Sequence, residues 1–299
     1  MASQWYEHDY HRTVERIGST EFLSGTTVEI VRPLNRSATP EHVIFDFDGT
    51  LSLIREGWPE VMVPMMVEVL QSTATEESTE VLQKLAHDYV MQLNGKQTIY
   101  QMIRLAEEVR LRGGTPEDPV VYKSRYHDRL MHRISHRREK LRSGTVEPEA
   151  MLVPHALELL DELRARGVAL YLASGTDEQY VVEEARLLGL DEYFGSRIYG
   201  AREDYRSFSK AKVIERILTE NHVDGSFLLG FGDGYVEIQN VKSVGGIAVA
   251  VASDETGRSG KPDPWKRDRL IGVGAEVVIP DYRDYRLLLD YLWNVGAST

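Results

Sequence analysis

The chain alternates between short apolar runs and longer amphipathic stretches. Residues 43–47, 168–173, 226–231, 246–252 and 276–279 are of strand length and rich in β-branched or aromatic side chains, which predicts β-strands. Residues 154–166, 178–188, 210–221 and 282–293 repeat apolar positions at helical spacing. Strands alternating with helices predict an α/β fold, a mostly parallel sheet covered on both faces. Residues 27–31 could add a further strand ahead of the first run. Between residues 51 and 150 the alternation breaks and helix follows helix. There, apolar residues fall three or four apart at Val61, Met65 and Val69, at Val81, Leu85 and Tyr89, and at Ile99, Met102, Ile103 and Ala106. Gly95 and Gly113-Gly114 mark breaks between these helices, and Pro116 with Pro119 start the next. The pattern divides the chain into a sheet-bearing core, residues 1–50 and 151–299, and an all-helical domain, residues 51–150, inserted just after the first core strand. Residues 1–41 read as an N-terminal extension with no visible chemistry.

The first run ends abruptly in Asp46 and Asp48, followed by Gly49 and Thr50. In an open α/β sheet, ligands bind beyond the carboxyl ends of the strands, where strand order reverses. At i and i+2 the two aspartates leave the same face of an extended backbone. Carboxylates so close repel, which raises the pKa of one. That suits a nucleophile beside an acid/base group, provided a cation neutralises the remainder. An Asp-Gly turn would explain the pair by itself, but other strands also end in polar groups. VALYLASGT ends in Ser174, Gly175 and Thr176, and the hydroxyl and amides of a strand-to-helix turn can cradle a phosphoryl group. Read singly, Ser174 is an ordinary helix cap. SFLLGFGDGYVE sets Asp233 between glycines with Glu237 four residues on. Together with Asp46 these are hard oxygen ligands of the kind magnesium prefers. Lys210 opens a helix against the sign of its dipole, so its placement calls for an anion or carboxylate nearby. Lys212, the competing lysine, points to another face.

Composition narrows the class. The 299 residues are 42% hydrophobic and 27% charged, an ordinary globular balance without repeats or low-complexity tracts. The chain has no cysteine, which removes disulfides, cysteine-ligated zinc and thiol nucleophiles and fits a reducing cytoplasm. The N-terminal residues carry neither a basic n-region nor an apolar h-region, and no run reaches the ~18 apolar residues of a membrane span. The expectation is a cytoplasmic protein with no membrane partner. A formal charge of −12 disfavours nucleic acid as a partner.

With DFDGT at 46–50, Ser174 in LASGT, Lys210 in SKAKVI and GDGYVE at 232–237 in that order, the chain resembles the haloacid dehalogenase (HAD) superfamily of phosphohydrolases. The resemblance runs through most of the sheet domain and implies a Rossmann-like core. It implies that Asp46 is the nucleophile and Asp48 the acid/base. It implies that Mg2+ is held by Asp46, the Asp48 backbone carbonyl and Asp233, and that Ser174, Gly175 and Lys210 bind the phosphoryl oxygens. Glu237 stands where the family more often has Asp, which leaves open a direct metal bond, a bond through water, or a hold on Lys210. The inserted helices occupy the place of the family's cap domain, which closes over the site and selects the substrate.

Arg55, just past DGTLS, and Lys96, in NGKQT, are candidates to reach a substrate phosphate or sugar hydroxyl, with solvated side chains as the plain alternative. Arg125, Arg129, Arg133 and Arg137 form a basic stripe at i+4 spacing beside Tyr122, Tyr126, Leu130 and Ile134, the expected buried face. His132 and His136 stand one turn apart without a third metal ligand to join them. The function expected is a magnesium-dependent phosphomonoesterase acting on a small phosphorylated metabolite, sugar phosphates among them, through an aspartyl-phosphate. The alternatives are a phosphomutase of the β-phosphoglucomutase type and a non-catalytic HAD-like binding protein; a binding module has no use for both acids. Monomer and homodimer are both left open.

Overall fold

The computed structural model describes residues 9–15, 18–34, 38–202 and 204–293; the outer ends of the expected core, 1–8 and 294–299, lie outside them. Strand β3 (His42–Phe45) is buried along its whole length, so it belongs at the centre of a sheet. It pairs in parallel with β4 (Ala169–Asp177) on one side and β6 (Leu228–Gly232) on the other. Beyond β4 lies β5 (Ile198–Ala201), and beyond β6 lie β7 (Ile247–Val251) and β8 (Val277–Ile279), all parallel. Two short antiparallel strands, β1 (Glu21–Phe22) and β2 (Glu29–Ile30), extend the sheet past β8. The order is β1-β2-β8-β7-β6-β3-β4-β5. The chain runs outward from β3 to β5 and returns on the far side as β6, so the order reverses at β3. There a crevice opens beyond the strand ends.

Helices α1 (Pro59–Gln71), α2 (Thr79–Gln92), α3 (Thr98–Leu111) and α4 (Pro119–Arg142) all fall between β3 and β4. Helix α2 starts at Ser78, whose side chain accepts from the Val81 N–H, and α4 at Asp118, which accepts from the Val120 N–H ahead of Pro119. Helix α4 buries Tyr122, Tyr126, Leu130 and Ile134, the face its spacing predicts. The first two helices are rotated relative to their predicted faces. Helix α1 buries Met62, Met65, Met66 and Leu70, and α2 buries Leu82, Ala86, Tyr89 and Val90, leaving Val81 50% exposed. Both helices carry adjacent apolar rows, and packing against the neighbouring helix selects one of them.

The remaining helices, α5 (Ala156–Ala165), α6 (Glu178–Leu187), α7 (Asp191–Phe194), α8 (Lys210–Asn221), α9 (Tyr235–Ser243), α10 (Pro264–Gly272) and α11 (Tyr285–Trp293), cover the sheet. Side chains of β3 alternate between the two resulting cores. Val43 and Phe45 join the cluster of α5, α6, α11 and the inserted helices, whereas Ile44 joins that of α8, α9 and α10. No apolar stripe betrays α9, because Tyr235, Val236, Glu237 and Ile238 are all buried. Among the described residues no helix is long and apolar enough to cross a membrane.

Phe45 is fully buried, stacked on Phe231 at 4.8 Å and edge-on to Phe194 at 6.1 Å. Phe45→Ala is expected to cost about 3–5 kcal/mol. In urea denaturation this reads as a lower midpoint at an unchanged slope.

Candidate active site

The crevice is built where β3 lets go of the sheet. The Asp46 N–H donates to the Phe231 carbonyl at 2.9 Å, and the Phe47 carbonyl then gathers the N–H groups of Thr50, Leu51 and Ser52 into a tight coil. Gly49 sits there at φ +73°, and a Cβ on it would lie 2.3 Å from Asp233 Oδ2, so only glycine lets this coil close against the end of β6. Thr50 Oγ1 accepts from the Asp233 N–H at 2.9 Å, Tyr282 donates to the Thr50 carbonyl at 2.8 Å, and Ser253 donates to the Gly49 carbonyl at 2.6 Å.

Lys210 is 2% exposed, and its Nζ donates to Asp46 Oδ1 at 2.8 Å while also contacting the Glu237 carboxylate. These two carboxylates are the partners that its position against the helix dipole called for. Lys212 reaches the Arg206 carbonyl at 2.7 Å in an exposed position. Ser174 is buried within β4, which runs past its expected end to Asp177 with an irregular register after Ala173, and its Oγ accepts from the Thr176 N–H at 3.1 Å. Thr176 Oγ1 in turn donates to Asp48 Oδ2 at 2.9 Å. A Cβ on Gly175 would stand 2.9 Å from the Lys96 carbonyl oxygen, so a side chain there would prop the inserted helices away from the strand end. Asp46, Asp48, Ser174, Gly175, Lys210 and Asp233 all line one cavity of about 80 Å³, whose other walls include Trp58, Gln101 and Tyr126 from the insertion.

Arg55 and Lys96 also line this cavity, but each is held by a carboxylate of the chain. Arg55 Nε and Nη2 grip the buried Glu184 at 2.8 and 3.0 Å, with Asp48 Oδ1 3.7 Å from Nε. The Lys96 ammonium donates to Asp9 Oδ1 at 2.6 Å and lies 5.0 Å over the Tyr100 ring. His136 Nδ1 lies 3.1 Å from the Arg133 carbonyl, and no group of three His, Cys, Asp or Glu among the described residues is disposed to hold a metal.

Sequence reasoning passed over Lys266, Glu255 and Glu184. The Lys266 ammonium, on α10, contacts Asp233 Oδ2 at 2.8 Å, Glu255 Oε1 at 2.7 Å and Ser253 Oγ at 3.1 Å. Ser253 and Glu255 follow the end of β7, so the strand-end rule that located Asp46 and Asp233 would have found them had it been applied to β7. Glu184 lies mid-helix and carried no such signal.

Burial pushes the Asp46 carboxyl up to about 6; Lys210 opposes the shift and Asp233 adds to it. Burial likewise pushes Asp48 up to about 7, with Arg55 opposing and Glu184 and Asp46 adding. The Glu255 carboxyl is raised by burial too, against the pull of Lys266. Asp46 and Asp233 thus repel one another across the crevice, a strain that a divalent cation would relieve. Their oxygens and the Asp48 backbone carbonyl are hard donors, and magnesium is ordinarily bound by one or two carboxylates plus water, so these residues fit that ion.

A switch-point crevice with carboxylates on two adjacent parallel strands and a buried lysine between them defines a Rossmann-like α/β core with a helical insertion. The family model for haloacid dehalogenase-like hydrolases matches residues 40–245, and the chain belongs to that family of enzymes. Solved structures share the fold. A predicted phosphoglycolate phosphatase from Haemophilus somnus 129pt is 16% identical with a TM-score of 0.54, over 84% of this chain and 99% of that one. A predicted phosphatase from Clostridium acetobutylicum is 14% identical with a TM-score of 0.55, over 85% and 100%. A β-phosphoglucomutase from Clostridium difficile is 11% identical with a TM-score of 0.54, over 85% and 97%. No curated protein sequence matches the chain.

Raised carboxyl pKa values mean that the folded chain binds these protons more tightly than the unfolded chain does. The stabilisation is full below about pH 4 and is lost as pH rises through the folded values, about 6 for Asp46 and about 7 for Asp48. Thermal melts in chelator should therefore show Asp48→Asn gaining on the wild type as pH rises through about 7, with the gap closing again toward acid.

Proposed function

We propose that this chain is a magnesium-dependent phosphomonoesterase that hydrolyses a small phosphorylated metabolite through an aspartyl-phosphate on Asp46. One observation carries the reading: two strand-end carboxylates two residues apart are held in different environments. Burial raises both carboxyls, Asp46 to about 6 and Asp48 to about 7, but Asp46 is bonded to the Lys210 ammonium at 2.8 Å whereas Asp48 is bonded to the neutral Thr176 hydroxyl at 2.9 Å. One is thus supported as an anion while the other can carry a proton near neutrality, the division of labour that nucleophile and general acid require.

In this reading an Asp46 carboxylate oxygen attacks phosphorus and the leaving oxygen takes the proton from Asp48. Asp48, now a base, takes a proton from the water that attacks the aspartyl-phosphate, which frees phosphate and restores both acids. Ser174, the Gly175 amide and Lys210 bind the phosphoryl oxygens, and Thr176 orients Asp48. Asp46, the Asp48 carbonyl and Asp233 would hold Mg2+, which would supply charge neutralisation at the phosphoryl group. Glu237 holds Lys210 in place. The inserted helices act as a cap that keeps water from Asp46 during the first step. A β-phosphoglucomutase shares the fold, so a phosphomutase is the second reading; it differs in passing the phosphoryl group to a second substrate hydroxyl.

Phosphate release from a panel of phosphorylated metabolites should require magnesium, stop in chelator and vanish in Asp46→Asn. Release that survives Asp46→Asn would overturn the mechanism, and phosphoryl transfer without release would favour the mutase. Asp48→Asn is expected to lower kcat on alkyl phosphates by about 10²–10⁴-fold. On aryl phosphates, whose leaving oxygen needs little protonation, steady-state assays should show a smaller loss.

A further inference from the structure

The cations lining the cavity are already engaged. Among the described residues they are Arg55, Lys96 and Lys210. Lys210 serves Asp46, where the transferring phosphoryl group binds. A second anionic group on the substrate would have to recruit Arg55 or Lys96. Taking Arg55 means breaking its two-point bond to Glu184, which is 0% exposed and would be left with only Arg138, 3.9 Å away. Taking Lys96 means displacing Asp9, whose side chain is 78% exposed and makes one 2.6 Å bond. Asp9 is the weaker of the two locks. The other cavity walls present Trp58, Thr98, Gln101 and Tyr126, which are aromatic or neutral hydrogen-bonding groups.

We propose that the site selects phosphomonoesters whose leaving group carries no negative charge, a neutral alcohol or polyol, and that Asp9 enforces the choice by holding Lys96. The inference rests on the phosphatase reading and names its substrate class. A second phosphate or a carboxylate on the leaving side meets lining cations that are each already paired, whereas hydroxyls meet neutral partners. A phosphomutase must also seat a phosphate that is not being transferred, so the same pairing weighs against that reading. Asp9 becomes a specificity-determining residue outside the catalytic set, supplied by the segment ahead of the first strand.

The test compares 2-phosphoglycolate with 2-hydroxyethyl phosphate, which differ by a carboxylate in place of a hydroxymethyl group, on the full-length chain with magnesium. The kcat/KM for the hydroxyethyl ester should exceed that for phosphoglycolate by about tenfold or more, because a charged group taken from water without a partner loses at least that. Asp9→Asn should narrow the ratio by about tenfold at an unchanged melting temperature, and Asp9→Glu should restore it. Equal or better use of phosphoglycolate by the wild type would overturn the selectivity. A ratio unmoved by Asp9→Asn would overturn the role of Asp9. If neither ester nor p-nitrophenyl phosphate releases phosphate, the phosphatase reading fails by itself. Calorimetric affinities for the same two esters then decide the selectivity, tighter binding of the hydroxyethyl ester supporting it and equal or tighter binding of phosphoglycolate refuting it.

Discussion

The arrangement depends on burying the Lys210 ammonium against Asp46 at the end of the central strand. Two carboxylates on one strand end, facing a third on the next strand, could not be kept from water without cations among them. Lys210 supplies one cation from α8 and Lys266 another from α10, each contacting two carboxylates. Helices on the same face of the sheet thus aim ammonium groups at the acids of β3 and β6. The strand-order reversal at β3 leaves the space in which they meet.

A second set of charges ties the inserted helices to the core. Lys123 pairs with Asp177 and Arg138 with Glu183, joining α4 to the start and middle of α6. Arg137 donates to the carbonyls of Ile54 and Glu56 at 2.9 and 2.7 Å, so it clasps the segment that leads out of the coil after β3. Arg125 and Arg129, on the same stripe, pair with Glu117 and Glu68. The basic stripe of α4 is largely consumed inside the molecule, which agrees with a net charge of −12 in giving no support to a polyanion partner.

Much was legible in the sequence because strands and helices leave periodic traces. The central strand, the core of four of its partners, the insertion of helices after it, and the positions of Asp46, Asp48, Ser174, Lys210 and Asp233 follow from local pattern and from the rule that α/β ligands sit beyond strand ends. The four-residue β5 and the all-round buried α9 escaped, the first for brevity and the second because it shows no one-sided stripe. The buried rows of α1 and α2 escaped for a different reason: adjacent apolar rows are equivalent until a neighbouring helix is in place.

The linear chain determined which chemistry was possible: a pair of carboxylates in an Asp-x-Asp turn, a lysine set against a helix dipole, and an acid between glycines. Tertiary structure decided which charges meet. Arg55 and Lys96 look alike in sequence as candidate substrate contacts, yet Glu184, 129 residues away, and Asp9, 87 residues away, neutralise them. Local propensity acts over a few residues, whereas the pairing of buried charges is settled by which distant segments the fold brings together, and that depends on the whole packed chain.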